Sequence, residues 1–195
     1  PGTGRTTAAC GLATRASCER SCDVEVHALV PPGPMAERLA RTPGMGSVVD
    51  PADRSATRRL LSRMGREVRD RRRRLSGTTP ASFDDRSDVH GSGSLTPPSL
   101  LLVVDGWSHV TDERDPSGHE KALELERLAR DGLAVGVRLV VTGGRDLATS
   151  RLASMVGRRV VLHMPDRYDA ISAGLRPDET VERPVPGRGI MLPDR

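Results

Sequence analysis

Residues 100–105 read LLLVVD, five aliphatic side chains in unbroken succession closed by one carboxylate. A strand with one wet face alternates polar and apolar residues. A strand with no polar position before its last residue has to be covered on both sides, as in a parallel sheet layered between helices. VRLVVTGG at 137–144 is a second run of this kind. Helical patterns alternate with these runs, so the chain is predicted as an α/β domain with a mainly parallel sheet flanked by helices.

The remaining elements are predicted in order. Ala9, Leu12, Ala13 and Ala16 fall at helical spacing within 6–20, and CDVEVHALV at 22–30 alternates like a strand. PPGP breaks the chain, and GSVVD at 46–50 gives another short strand. Asp50 followed by Pro51 reads as an N-cap and first helical position. Leu60, Leu61, Met64, Val68 and Leu75 then trace an amphipathic helix to about residue 75. Its end, VRDRRRRL, has two readings: a solvated face helped by cations near a helix C-terminus, or a nucleic-acid patch at 69–74. Residues 76–99 lack periodicity and are expected to form a flexible insert within one domain spanning 1–195. Beyond Asp105 come a helix at 119–133 with Leu123 and Leu128 inward and Leu125 as a further candidate, then the strand at 137–144. A helix at 147–156, a strand at 158–164, a helical turn at 168–175 and a strand at 189–192 complete the chain.

Composition narrows the function. No run approaches the roughly 18 apolar residues of a membrane helix. Aromatic residues make up 2%, so the core must be aliphatic and the chain is poorly equipped to stack single-stranded bases. Lys121 is the sole lysine, and the arginine, alanine and glycine bias points to a GC-rich genome. A net charge of +4 permits an anionic partner without requiring one. Cys10, Cys18 and Cys22 are too widely spaced for a zinc site, with His27 a weak fourth ligand, and read as inert thiols of a reducing compartment. The chain lacks an initiator Met and opens inside a motif, so it is expected to be a piece of a longer protein, with a first strand lying upstream.

That motif is PGTGRTT. With a glycine upstream and lysine at position 5 it would be a phosphate-binding P-loop, G-x-x-x-x-G-K-T. The backbone amides of Gly2, Thr3, Gly4, Arg5, Thr6 and Thr7 would cradle the phosphates of ATP, helped by the following helix N-terminus. In this class of nucleotide-binding folds a buried strand ends in an aspartate that helps hold Mg²⁺, and Asp105 stands at that place. Thr6 is the expected hydroxyl ligand of Mg²⁺, with Asp105 behind it. Arg5 keeps the cationic charge on a planar fork. Gly106 supplies no carboxylate to orient an attacking water. These two departures predict retained binding and poor hydrolysis, recoverable only when Arg5→Lys and Gly106→Glu are combined. His109 and His119, beside Asp112, Glu113 and Asp115, are expected at the surface, Trp107 in packing, and Arg188 in a turn or reaching a neighbouring subunit's nucleotide.

The stretches PGTGRTT, GSVVDPADRSATRRLLSRM, LLLVVDGW, GLAVGVRLVVTGGRDLATSRLASMVGRRVVLHMPDRYDAISAGL and PGRGI, taken in order, resemble an FtsK/SpoIIIE-type ATPase domain. The resemblance is greatest to the degenerate later modules of the EccC ATPases of actinobacterial type VII secretion. It implies a RecA-like P-loop NTPase fold, nucleotide and Mg²⁺ as ligands, and a cytoplasmic module of a membrane-anchored parent. It further implies neighbouring ATPase modules or a hexamer-like assembly, and a regulatory or substrate-docking role with a secreted protein as substrate. The alternatives are an active ATP-driven motor that translocates DNA, the substrate of other translocases in the superfamily and not favoured here, and a pseudo-ATPase scaffold that binds no nucleotide. The family's sensor segment is often Thr-Gln-Arg. Here Thr142-Gly143-Gly144-Arg145 keeps Thr142 and an arginine, which makes Arg145 the candidate sensor arginine, but loses the glutamine.

Overall fold

The computed structural model describes residues 4–18, 23–75, 97–112, 114–179, 185 and 187–192. Four strands, β1 (Val24–Leu29), β2 (Met45–Val49), β3 (Ser99–Val104) and β4 (Val137–Val141), form one sheet in the order β2-β1-β3-β4. Every neighbouring pair in it is parallel. Helix α1 (Arg5–Cys18) precedes β1, α2 (Pro34–Ala40) joins β1 to β2, and α3 (Arg54–Leu75) follows β2. After β3 come the single turn α4 (Trp107–Val110) and α5 (Gly118–Gly132), and a 3₁₀ turn at Leu133–Val135 leads into β4.

The unbroken apolar runs have the predicted consequence. Val103 packs with Val26 and Ala28 of β1 against Ala9, Cys10 and Ala13 of α1 and Leu39 of α2. Leu100, Leu102 and Val104 point the other way, onto Leu60, Leu61, Met64 and Val68 of α3 and Leu125 and Leu128 of α5. Alternate residues of one strand thus serve two separate cores, one on each face. At roughly 1.5–3 kcal/mol per buried aliphatic side chain, β3 is the main organiser of the fold.

The structure corrects several details. PPGP does not only break the chain: Pro34 opens α2, where its missing N–H costs nothing. The long helix starts at Arg54, and Asp53, not Asp50, caps it by accepting the Ala56 N–H at 2.9 Å. Asp50 instead closes the preceding turn through the Ala52 N–H. Leu125 is fully buried in α5, whereas Leu123 is only partly covered. The helix expected at 147–156 is two short pieces, α6 (Arg145–Ala148) and a 3₁₀ turn at Leu152–Ser154. β5 (Arg159–Leu162) pairs antiparallel with β6 (Gly189–Leu192) in a separate ribbon, packed on α7 (Arg167–Ser172) through Val161 and Ala170. The insert expected at 76–99 lies, as far as residue 96, outside the described residues. No helix among the described residues is long and apolar enough to cross a membrane.

One polar group sits inside the sheet. The β1–β2 register shifts between the Val26–Met45 and Ala28–Val48 pairs, and His27 Nδ1 accepts the Ser47 N–H at 2.9 Å in that gap. The imidazole therefore replaces a missing ladder bond. Its Nε2 lies 3.1 Å from Glu25 Oε1, which also accepts from Arg63 at 2.9 Å. Burial pushes the His27 pKa down, against the opposing pull of Glu25. Gly46 makes room for the ring, since a Cβ there would stand 2.5 Å from His27 Cε1.

Candidate functional site

Gly2 and Thr3 lie outside the described residues. Gly4, at φ +82, turns the chain into α1, whose first turn carries no acidic residue. Small buried residues, Ala9, Cys10 and Ala13, let α1 lie close over β1 and β3. That approach delivers the helix N-terminus to the carboxyl ends of β3 and β4, where α/β sheets commonly bind ligands.

There the side chains converge. Thr6 Oγ1 donates to Asp105 Oδ2 at 2.7 Å, and Thr142 Oγ1 donates to Asp105 Oδ1 at 2.7 Å. Thr142 Oγ1 also accepts the Gly106 N–H at 2.9 Å, so three segments far apart in sequence are tied into one network. Asp105 is 5% exposed, and both of its oxygens are occupied by hydroxyl protons. Burial, and then the Asp105 charge, push the nearby Cys10 thiol up to about 11, which leaves it an inert thiol. With its proton committed to Asp105, the Thr6 hydroxyl keeps its lone pairs for a cation. A hydroxyl backed by a carboxylate is a hard oxygen set of the kind Mg²⁺ takes. These residues fit that ion.

The adjoining corner is built differently. Gly106 has φ +86, a conformation disfavoured for any residue with a side chain. A Cβ there would stand 2.3 Å from His109 Cδ2 and 3.2 Å from its Nε2. The imidazole therefore fills the volume that a residue-106 side chain would enter. Position 143 is closed as well, since a Cβ on Gly143 would meet Leu147 Cβ at 2.3 Å and Trp107 Cβ at 3.1 Å. Trp107 is buried in the core, as expected, and it forms one wall of this corner. The expectation that Arg5→Lys with Gly106→Glu suffices for recovery is revised accordingly: a glutamate at 106 meets both backbone strain and the His109 ring.

The remaining candidates are dispersed. Arg5 reaches across to the β4–α6 turn, with its Nη1 3.4 Å from where a Cβ on Gly144 would stand. Thr7 is exposed on the first turn of α1. Arg145 has its guanidinium 3.8 Å from Asp169 on α7. Arg188 is exposed in a turn closed by its N–H to the Val185 carbonyl, and His109 and His119 are both at the surface. Asp115 is held well below the usual carboxylate range by Lys121 Nζ at 2.7 Å and by Ser117. Cys22 and Glu113 lie outside the described residues.

The basic stretch at 69–74 is not a free cationic patch. Arg71 is 3% exposed and donates to Glu67 Oε1, to the Val135 carbonyl and to the Pro98 carbonyl. Arg72 pairs with Asp131 at 3.1 Å, and Arg73 pairs with Asp70. The sequence carried a signal for this: Arg71 falls three residues after Val68 and four before Leu75, on the apolar stripe of α3.

Known proteins share this architecture. The chain is 28% identical over 134 residues to the ESX secretion system protein YukB of Bacillus subtilis, a match covering 68% of the chain and 8% of that relative. It superposes on EssC (ATPases 2 and 3) of Geobacillus thermodenitrificans with a TM-score of 0.78 and 18% identity, covering 97% of the chain and 35% of that structure. Against Thermomonospora curvata EccC (ATPases 2 and 3), solved in complex with a signal sequence peptide, the TM-score is 0.75 and the identity 21%, over 100% of the chain and 36% of that structure. No family model matches the chain. The fold expected from the sequence is that of these ATPase modules, and the chain spans about a third of the matched structures.

Proposed function

We propose that the chain is a nucleotide-binding module of an FtsK/SpoIIIE-like secretion ATPase, one that holds Mg·ATP and hydrolyses it poorly. The observation that carries this reading is the Thr6–Asp105–Thr142 network. In it, the Thr6 hydroxyl would be a direct ligand of Mg²⁺, Asp105 would orient that hydroxyl, and Thr142 would hold Asp105 in place. The amides of the loop through Gly4 and the α1 N-terminus would take the phosphates, and Arg5 would add charge beside them. The bound Mg²⁺ would neutralise phosphate charge.

Gly106 and Gly143 bring no side chain to the attacking side, and their neighbours occupy the space. Such a module serves its parent by binding nucleotide statically, in assembly, regulation or docking of a secreted protein, next to neighbouring ATPase modules on the cytoplasmic side of a membrane-anchored protein. The 69–74 stretch does not favour DNA as the substrate, because Arg71 is turned inward onto backbone carbonyls and Arg72 is paired with Asp131. Calorimetry on the chain extended upstream tests the reading: Mg·ATP is expected to bind, and to lose affinity on chelation of the metal. Absence of binding at any practical concentration would leave a pseudo-ATPase scaffold instead. Multiple-turnover hydrolysis lost on Asp105→Ala would make it a working ATPase.

A further inference from the structure

On the opposite face of the sheet from α1, helices α3 and α5 enclose a groove of about 570 Å³, a volume in the range of ligand pockets. Its walls differ in charge. The α3 side presents Arg54, Arg58, Arg66 and Arg69, and the α5 side presents Glu120 and Glu124 together with Lys121, whose charge is taken up by Asp115. Leu61 and Gly65, both buried, form the floor.

Some of these charges are already used. Arg54 pairs with Asp115 at 3.0 Å, Lys121 with the same carboxylate at 2.7 Å, and Glu124 with Arg127 at 2.5 Å. Arg69 lies against Gly65 beside Glu124, since a Cβ on Gly65 would stand 3.4 Å from Arg69 Nη1 and 3.7 Å from Glu124 Oε2. Arg58 and Arg66 show no such engagement among the described residues. They are eight positions apart on α3, or about 12 Å at roughly 1.5 Å per residue.

We propose that this groove docks a helix of a partner protein that carries carboxylates two turns apart toward α3 and basic side chains toward α5. The shape favours a helix, because a third helix packs naturally into the furrow between two others. The charge asymmetry favours a protein over a nucleic acid. A uniform polyanion that met Arg58 and Arg66 would also press phosphates on Glu120 and Glu124, and like charges brought together at an interface are costly. This surface is separate from the Thr6–Asp105–Thr142 network, and the proposal does not depend on nucleotide binding.

The test uses the intact protein and a fluorescent helical peptide of Ala, Glu and Lys, with two glutamates seven residues apart on one face and lysines on the neighbouring face. Binding is expected by anisotropy, weakening as salt rises. Arg58→Glu with Arg66→Glu should weaken it by about tenfold or more, and a peptide with lysines at the two glutamate positions should restore it. Arg41→Glu, on the other face of the sheet, should have no effect. If the double variant fails to fold by circular dichroism, Glu120→Lys with Glu124→Lys and the peptide of inverted lysine face provide the same swap from the other wall. No binding, binding indifferent to both swaps, or stronger binding of duplex DNA lost in the same variants would overturn the proposal. The last outcome would make the groove a nucleic-acid surface.

Discussion

Two halves of the proposed site, a few residues apart, are built by opposite means. In one half Thr6, Asp105 and Thr142 are polar groups that satisfy one another through hydrogen bonds of 2.7 Å. In the other, around Gly106 and Gly143, side-chain volume is absent and the space is taken by His109, Leu147 and Trp107. A hydrogen-bonded network of buried groups resists loss of a member, because each survivor is left unsatisfied. A packed corner resists gain of one, because the new atoms have no room. The contrast shows why the two halves respond differently to change: the first is sensitive to deletion and the second to addition.

The most damaging change to the proposed site is Asp105→Ala. It should lower Mg·ATP affinity by about 10²-fold, read by calorimetry, and affinity retained in that variant would break the distinction between the halves. Next is addition on the other side. Gly106→Glu should lower the melting temperature by an amount equivalent to about 1–3 kcal/mol, the cost of a side chain in that backbone conformation. Arg5→Lys with Gly106→Glu should leave phosphate release at background, and His109→Ala added to the pair should raise it by about tenfold. A gain from the pair alone would mean that the corner yields.

Thr142→Val should have a smaller effect, about 1 kcal/mol of stability and a few-fold loss of affinity, since it strands the Gly106 N–H and one Asp105 oxygen. The mildest change leaves both halves alone. Because burial holds the folded His27 pKa below 6.5, the unfolded chain takes up its proton first as pH falls. The stability this group supports is complete above about pH 6.5 and is lost below it, with a slope of at most about 1.4 kcal/mol per pH unit. His27→Gln should flatten that slope in chemical denaturation while leaving Mg·ATP affinity unchanged.

The sequence made much of this legible, and unevenly. LLLVVD and VRLVV announced the covered sheet because an aliphatic run has few alternatives in water. Thr6 and Asp105 could be paired because one opens a helix and the other closes a strand of the same parallel sheet, and they meet in a hydrogen bond of 2.7 Å. Arg71 was misread in both of its readings, solvated face and nucleic-acid patch, because charge is a property of the residue and direction a property of the helix. The helix opened by Pro34 was missed, since proline terminates and initiates helices with the same side chain. His109 over Gly106 was beyond reach: it depends on where a ring lies one turn later, and three residues of separation do not encode that. The groove between α3 and α5 was equally hidden, because its walls come from segments that only the sheet aligns.

The His27–Gly46 contact has a consequence for how this surface of the sheet can change over generations. The imidazole substitutes for a backbone acceptor, and the glycine exists to admit it, with 2.5 Å between the ring and any added Cβ. The two positions are therefore one choice made twice. Descendants that keep the histidine are bound to keep the glycine, and those that replace the glycine must give up the ring and reset the register of β2. Covariation between positions 27 and 46 among related sequences would be the trace of that bargain.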